Sequence, residues 1–239
     1  MIDYIDLIMP EYEAWKALMK KKPSILSKAS KGIQNKFNSV LPDKYHEIMD
    51  ITIKNLVKGI LIGSEYLNKK PISNMPLKIR EELFKSKLEI YRKTAIVEGA
   101  STGAGGLFMG FADFPLLLTI KIKFLFEAAS IYGFDVNDYK ERLYILYIFQ
   151  LAFSSQGKTN KVFQELENWN NIALQLPDDI NDFNWHDFQQ EYRDYIDIAK
   201  MLQLVPLIGA FVGAYANSKL LDKLGETAMN SYRMRLINQ

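Results

Sequence analysis

The chain has 239 residues, of which 48% are hydrophobic and 24% charged, with 13 Gly, 8 Pro and no Cys. A chain of this length removes roughly 70% of its unfolded surface from water on folding, so it can bury a substantial core. Its composition excludes disordered, collagenous and disulfide-rich classes, and the absence of Cys excludes thiolate catalysis, iron–sulfur clusters and cysteine zinc sites. A net charge of +2 gives no case for nucleic acid as a partner of the whole molecule.

The first fifteen residues carry two Asp and two Glu, and the first basic residue is Lys16. This is not the basic start of a secretory signal, so a cytoplasmic protein is expected. The near-neutral total hides an asymmetry. Residues 1–93 hold 18 basic and 11 acidic residues, whereas residues 94–239 hold 12 and 17. Lys20, Lys21, Lys22, Lys28, Lys31 and Lys36 suit an anionic membrane surface, or else simply solvate helix faces.

Helical periodicity dominates from there. Residues 43–67 place Ile48, Ile51, Leu56 and Ile60 at spacings of three and four, behind Pro42. Pro76 opens a second run to about Val97. Pro115 opens residues 115–132, which end at Gly133, a typical residue just past a helix. Residues 138–155, 159–176, 184–203 and 206–236 read as further helices, the last interrupted near Gly225. Residues 71–74 and 177–179 are loop signals. No period-2 alternation between hairpin turns occurs. The expected fold is all-α, a single-domain multi-helix bundle over residues 1–239 with a glycine-rich central helical hairpin.

The hairpin comes from two nearly charge-free stretches, residues 97–112 and 201–218. Gly99 with Gly103, Gly106 with Gly110, and Gly209 with Gly213 each form a G-x-x-x-G pair. In helices such pairs make smooth faces on which another backbone can pack closely. Each stretch is marginal as a membrane span, which needs about 20 mostly apolar residues. Both read better as buried core helices, with membrane insertion or shallow burial in lipid as the alternative.

The helix from Pro115 carries a polar stripe of Thr119, Lys123, Glu127 and Ser130, in which Lys123 and Glu127 are spaced to pair. Lys121 falls on the apolar side. It must either snorkel to water or find a partner, with Glu98, Asp113 and Glu141 as candidates. With Arg142, these residues make up the candidate polar site: Glu98, Asp113, Lys121, Lys123, Glu127, Glu141 and Arg142. Residues 99–103 match the G-x-S-x-G nucleophile elbow, but the segment before them is charged and helix-like, and only His186 follows. No phosphate loop or dinucleotide fingerprint is present. His46 and His186 lack a second His at helical spacing, and the carboxylates of residues 178–197 lack calcium-loop spacing. Neither a metal nor a cofactor is expected.

The block Glu98-Gly99-Ala100, residues 103–106, Phe111 to Pro115, Ile120 to Phe124 and Tyr132-Gly133 resembles the core of the EcsC family. So do residues 141–153, and Pro206 to Ala210 with Gly213, Ala214 and Asn217. The resemblance covers nearly the whole chain. It implies an accessory protein linked to the subunits of an ABC transporter, and it brings no catalytic residues. Taken with the glycine stretches and the basic first third, it makes the expected protein non-catalytic, membrane-associated and peripheral at the inner face of the cell membrane. Ala112-Asp113, the helix to Gly133, and Pro206 to Asn217 also resemble the membrane-associated helical domain of some bacterial GTPases. The alternatives are a hydrolase using Glu98, Asp113 and Lys121, and a protein that binds lipid or another apolar ligand in a helical cavity.

Overall fold

The computed structural model describes residues 3–21, 43–62, 70–103, 114–154, 157–184, 188 and 210–237. The described residues form α1 (Tyr4–Lys20), α2 (Asp43–Ile62), α3 (Leu77–Gly103), α4 (Phe114–Tyr132), α5 (Tyr139–Phe153), α6 (Thr159–Glu167), α7 (Trp169–Gln175), a 3₁₀ turn (Ile180–Asp182) and α8 (Ala210–Ile237). They include no β-strand. The all-α expectation holds.

α4 and α5 form the centre. From Leu117 to Tyr132 every residue but Thr119 and Lys123 is buried, and in α5 so is every residue from Arg142 to Phe153 but Tyr147. A helix apolar on all sides is stable in water only when neighbours cover it. α3 and α8 run antiparallel beside α4. Leu88 packs on Gly225, Arg92 lies 3.7 Å from Asp222, and Glu81 meets Arg233, a constant register along both helices. α1 closes another side with Ile8, Tyr12 and Trp15, and the Trp15 ring stands edge-on to Phe163 of α6 at 5.5 Å.

Several expected boundaries move. α1 and the 3₁₀ turn had no counterpart in the sequence reading. α1 starts where the Asp3 carboxylate accepts from the Ile5 N–H at 3.4 Å, and it continues through Pro10. α3 runs on past Val97, so Gly99 and Gly103 lie inside a helix. The helix expected over residues 159–176 divides at Asn168, whose N–H still donates to the Gln164 carbonyl. The expected helix 184–203 falls almost wholly outside the described residues. α8 is not interrupted at Gly225. A Cβ there would come within 2.6 Å of the Leu88 side chain, so this glycine makes room for a neighbouring helix instead of breaking its own.

Gly133 ends α4 as expected, with φ +92°. Its N–H donates to the Ser130 carbonyl and the Phe134 N–H donates to the Ala129 carbonyl, the two bonds of a Schellman cap. Arg80 fastens this corner by donating to the carbonyls of Met75, Tyr132 and Ser73 at 2.6–2.8 Å. Gly133→Ala would force a left-handed backbone at ~1–2 kcal/mol. It would also drive Cβ to 2.8 Å from the Arg80 guanidinium and 3.1 Å from the Ile72 carbonyl. Chemical denaturation should therefore show a loss of at least ~2 kcal/mol.

Candidate functional site

The antiparallel register sets Gly103, the last residue of α3, level with the first turn of α8. Phe84 against Tyr132 and Tyr91 against Phe124 set the start of α4 at the same level. One end of the bundle is thus where α3 stops and where α4 and α8 begin. The described parts of the two charge-free stretches, residues 97–103 and 210–218, lie there. Of the six paired glycines, Gly99, Gly103 and Gly213 lie in helices at this end, while Gly106, Gly110 and Gly209 lie outside the described residues.

The same end exposes large apolar side chains. Val97 is 66% exposed, Leu116 47% and Tyr215 65%. Each has an exposed lysine behind it on the same helix face: Lys93 one turn from Val97, Lys123 two turns from Leu116, and Lys219 one turn from Tyr215. The Lys219 ammonium lies 5.7 Å from the centre of the Tyr215 ring, and Lys93 sits 3.8 Å from Glu89. The tip is therefore apolar, with long cationic side chains one or two turns behind it.

Two turns inside this end lies Lys121. It does not snorkel, because its exposure is 0%. Its Nζ donates to Asn217 Oδ1 of α8 at 3.1 Å and to the Leu117 carbonyl at 3.4 Å. Burial pushes its ammonium down to about 7, so much of it is uncharged at neutral pH. Lys121 and Asn217 thereby join the two halves of the family-like pattern across the helix interface.

The other candidate polar residues do not assemble around it. Asp113 lies outside the described residues, and Glu98 is half-buried in the last turns of α3. Lys123 is exposed, so the polar stripe is solvated only in its first half. Glu127 is buried and reaches α3, with Lys87 at 2.7 Å and the Tyr91 hydroxyl at 3.0 Å. Burial and that carboxylate push the Tyr91 phenol far up. Glu141 accepts two hydrogen bonds from Arg235, at 2.5 and 2.7 Å, whose guanidinium also lies over the Phe134 and Tyr144 rings. Arg235 is 18 residues along α8 from Asn217, about 27 Å at 1.5 Å per residue, so Glu141 is not the partner of Lys121. Arg142 donates to the carbonyls of Val136 and Asn137, securing the turn before α5. Ser101 of the elbow-like motif lies in the last turn of α3, not on a strand-to-helix turn, so that motif lacks the geometry it requires.

One polar cluster had no signal in the sequence reading. Arg233 and Glu81, both fully buried, form a bidentate pair at 2.7 and 2.6 Å. The Tyr4 hydroxyl donates to Glu81 at 2.9 Å, and Arg233 also donates to Glu11 and Asn230 at 3.1 Å. The cluster ties α1, α3 and α8 together far from the glycine end. Its residues stand 152 positions apart, and no local spacing announces such a pair.

Among the described residues no group of His, Asp or Glu is placed to hold a metal ion. No described helix is long and apolar enough to cross a membrane.

Comparison with known proteins follows the same lines. The chain is 43% identical to "Protein EcsC" of Bacillus subtilis (strain 168) over 234 residues, 98% of this chain and 96% of that one. It is 29% identical to "Uncharacterized protein YdbA" of the same organism over 239 residues, 98% of this chain and 81% of that one. No solved structure matches. The EcsC protein family model spans residues 7–237, from within α1 to the end of α8, and the chain belongs to the EcsC protein family.

Proposed function

We propose that this protein is a non-catalytic accessory protein that sits on the inner face of the cell membrane through the glycine end of its bundle. The observation that carries this reading is the convergence there of Val97, Leu116 and Tyr215, each backed by a lysine, with residues 97–103 and 210–218 of the two charge-free stretches. Burying each of these side chains in an interface is worth about 1.5–3 kcal/mol. The lysines add ~1 kcal/mol apiece near an anionic surface. Of the N-terminal lysines, Lys16 and Lys20 are paired with Glu167 at 3.2 and 2.9 Å, while Lys22, Lys28, Lys31 and Lys36 lie outside the described residues. At that surface the protein would serve the ABC transporter that the family resemblance implies, and it should co-purify with the transporter's subunits from detergent extracts.

Vesicle flotation tests the membrane reading. The protein should float with phosphatidylglycerol-containing vesicles and less well as salt rises, since exposed charges are screened beyond ~8–10 Å at physiological ionic strength. The double variant Val97→Asp with Tyr215→Asp should lose at least tenfold in bound fraction while keeping its unfolding midpoint, because both residues are exposed. Protein that stays unbound at low salt would refute the reading. A hydrolase has weaker support, since Lys121 is closed to solvent and Ser101 lies within a helix.

A further inference from the structure

Between α2 and the first turns of α4 runs a groove of about 200 Å³. Its floor is aliphatic, formed by Leu56 and Ile60 of α2 and by Leu118 and Ile122 of α4. Asn55 and Thr119 stand at its edges, and the Thr119 hydroxyl is already committed to the Pro115 carbonyl at 2.9 Å. Gly59 borders the groove, and a Cβ built on it meets nothing within 4 Å, so the space above it is open. The volume is that of roughly seven water-sized groups, at ~30 Å³ each. A methylene is close to that size, so the groove would take about half of one fatty acyl chain and is too small for a drug-sized ligand.

Two further features narrow the occupant. Pro115 and Thr119 belong to the first two turns of α4, beside exposed Leu116, so the groove opens at the end that the proposed function places on the membrane. Among the described residues one exposed lysine stands beside it: Lys123 lies one turn beyond Thr119 on α4, whereas Lys54 and Lys58 fall on the opposite side of α2 from the groove. An aliphatic slot with Lys123 beside it is complementary to a chain attached to an anionic head.

We propose that the α2–α4 groove holds part of one acyl chain of an anionic phospholipid, drawn from the bilayer on which the protein sits. The proposal rests on the membrane reading for its source of lipid, and the experiment separates the two. The full chain is mixed with phosphatidylglycerol vesicles carrying a diazirine in one acyl chain, irradiated, and mapped by peptide mass spectrometry. Crosslinks are expected in residues 52–60 and 115–122. Gly59→Phe sets a ring at the groove on a Cβ that meets nothing within 4 Å, so it should keep vesicle flotation and lose those crosslinks at least tenfold. Crosslinks unchanged by Gly59→Phe, or confined to other segments of a vesicle-bound protein, would overturn the groove and leave the membrane reading intact. If the protein does not float at all, the membrane reading fails and the same lipid is presented in detergent. A one-to-one adduct in native mass spectrometry, lost in Gly59→Phe, then still supports the groove, and its absence overturns it.

Discussion

Replacing Arg233 with Met is expected to destabilise the protein by about 3–5 kcal/mol, the usual loss when one member of a buried ion pair is removed. The size follows from what is left behind. Glu81 is fully buried and takes two charge-assisted hydrogen bonds from the guanidinium, so in the variant its carboxylate loses both and keeps the bond from the Tyr4 hydroxyl. Burial by itself disfavours the Arg233 charge, but the bonds and charge of Glu81, with Glu11, outweigh it and hold the guanidinium above its usual value. At roughly 2–4 °C per kcal/mol for a chain of this size, thermal unfolding should move down by about 10 °C. Glu81→Leu combined with Arg233→Met should recover much of the loss, because two matched apolar groups leave no stranded charge. A single-variant loss below ~1 kcal/mol would show that the pair is hydrated and not buried.

Lys121→Met is expected to do the opposite and stabilise the protein at pH 7 by ~1–3 kcal/mol, with a pH signature that identifies the cause. The ordinary ammonium value is 10.5 and the folded value about 7. Between those values the unfolded chain holds close to one proton more than the native protein, so stability must rise with pH there. The slope is ~1.4 kcal/mol per pH unit. From pH 7 to pH 9 the native protein should gain about 2–3 kcal/mol from this group, and below pH 7 the contribution should flatten. Buried tyrosines act in the opposite sense at higher pH. Burial, with the Glu81 bond in one case, raises Tyr4 and Tyr12 from 10 to about 12, so their contribution is lost as pH climbs through 10. The useful window therefore closes near pH 9. In Lys121→Met the rise between pH 7 and 9 should vanish. Its gain at pH 7 falls short of the full ~5 kcal/mol implied by the shift, because Asn217 loses the Lys121 donor. Equal slopes in both proteins, measured by urea unfolding across this range, would refute a buried neutral amine.

The two predictions concern residues that differed greatly in how visible they were beforehand. Lys121 stood out because one cation among apolar positions breaks a helical pattern. Its destination did not, because Asn217 is 96 residues away. Glu81 and Arg233 raised no signal at all. Glu81 sits in a charged run, Arg233 near the end of a long helix, and each alone looks like a solvated surface residue. Gly225 was visible as a glycine in a helical run, but its meaning reversed once Leu88 was found against it. Glu141 and Arg142, neighbours in sequence, serve two unrelated structural tasks.

By itself the amino-acid sequence determined the helical class, the cap of α4 at Gly133 and the membership of the family. Those properties depend on contacts within a turn or two of chain, where spacing, capping residues and glycine act directly. Only the tertiary structure decided that residues 97–103 and 210–218, the described parts of the two charge-free stretches, meet at one end of the bundle. It also decided that Val97, Leu116 and Tyr215 are exposed together there, and that Lys121, Glu81 and Arg233 lie inside. Each of those outcomes turns on the antiparallel register of α3 against α8 and α4, a pairing of distant segments that local periodicity does not encode.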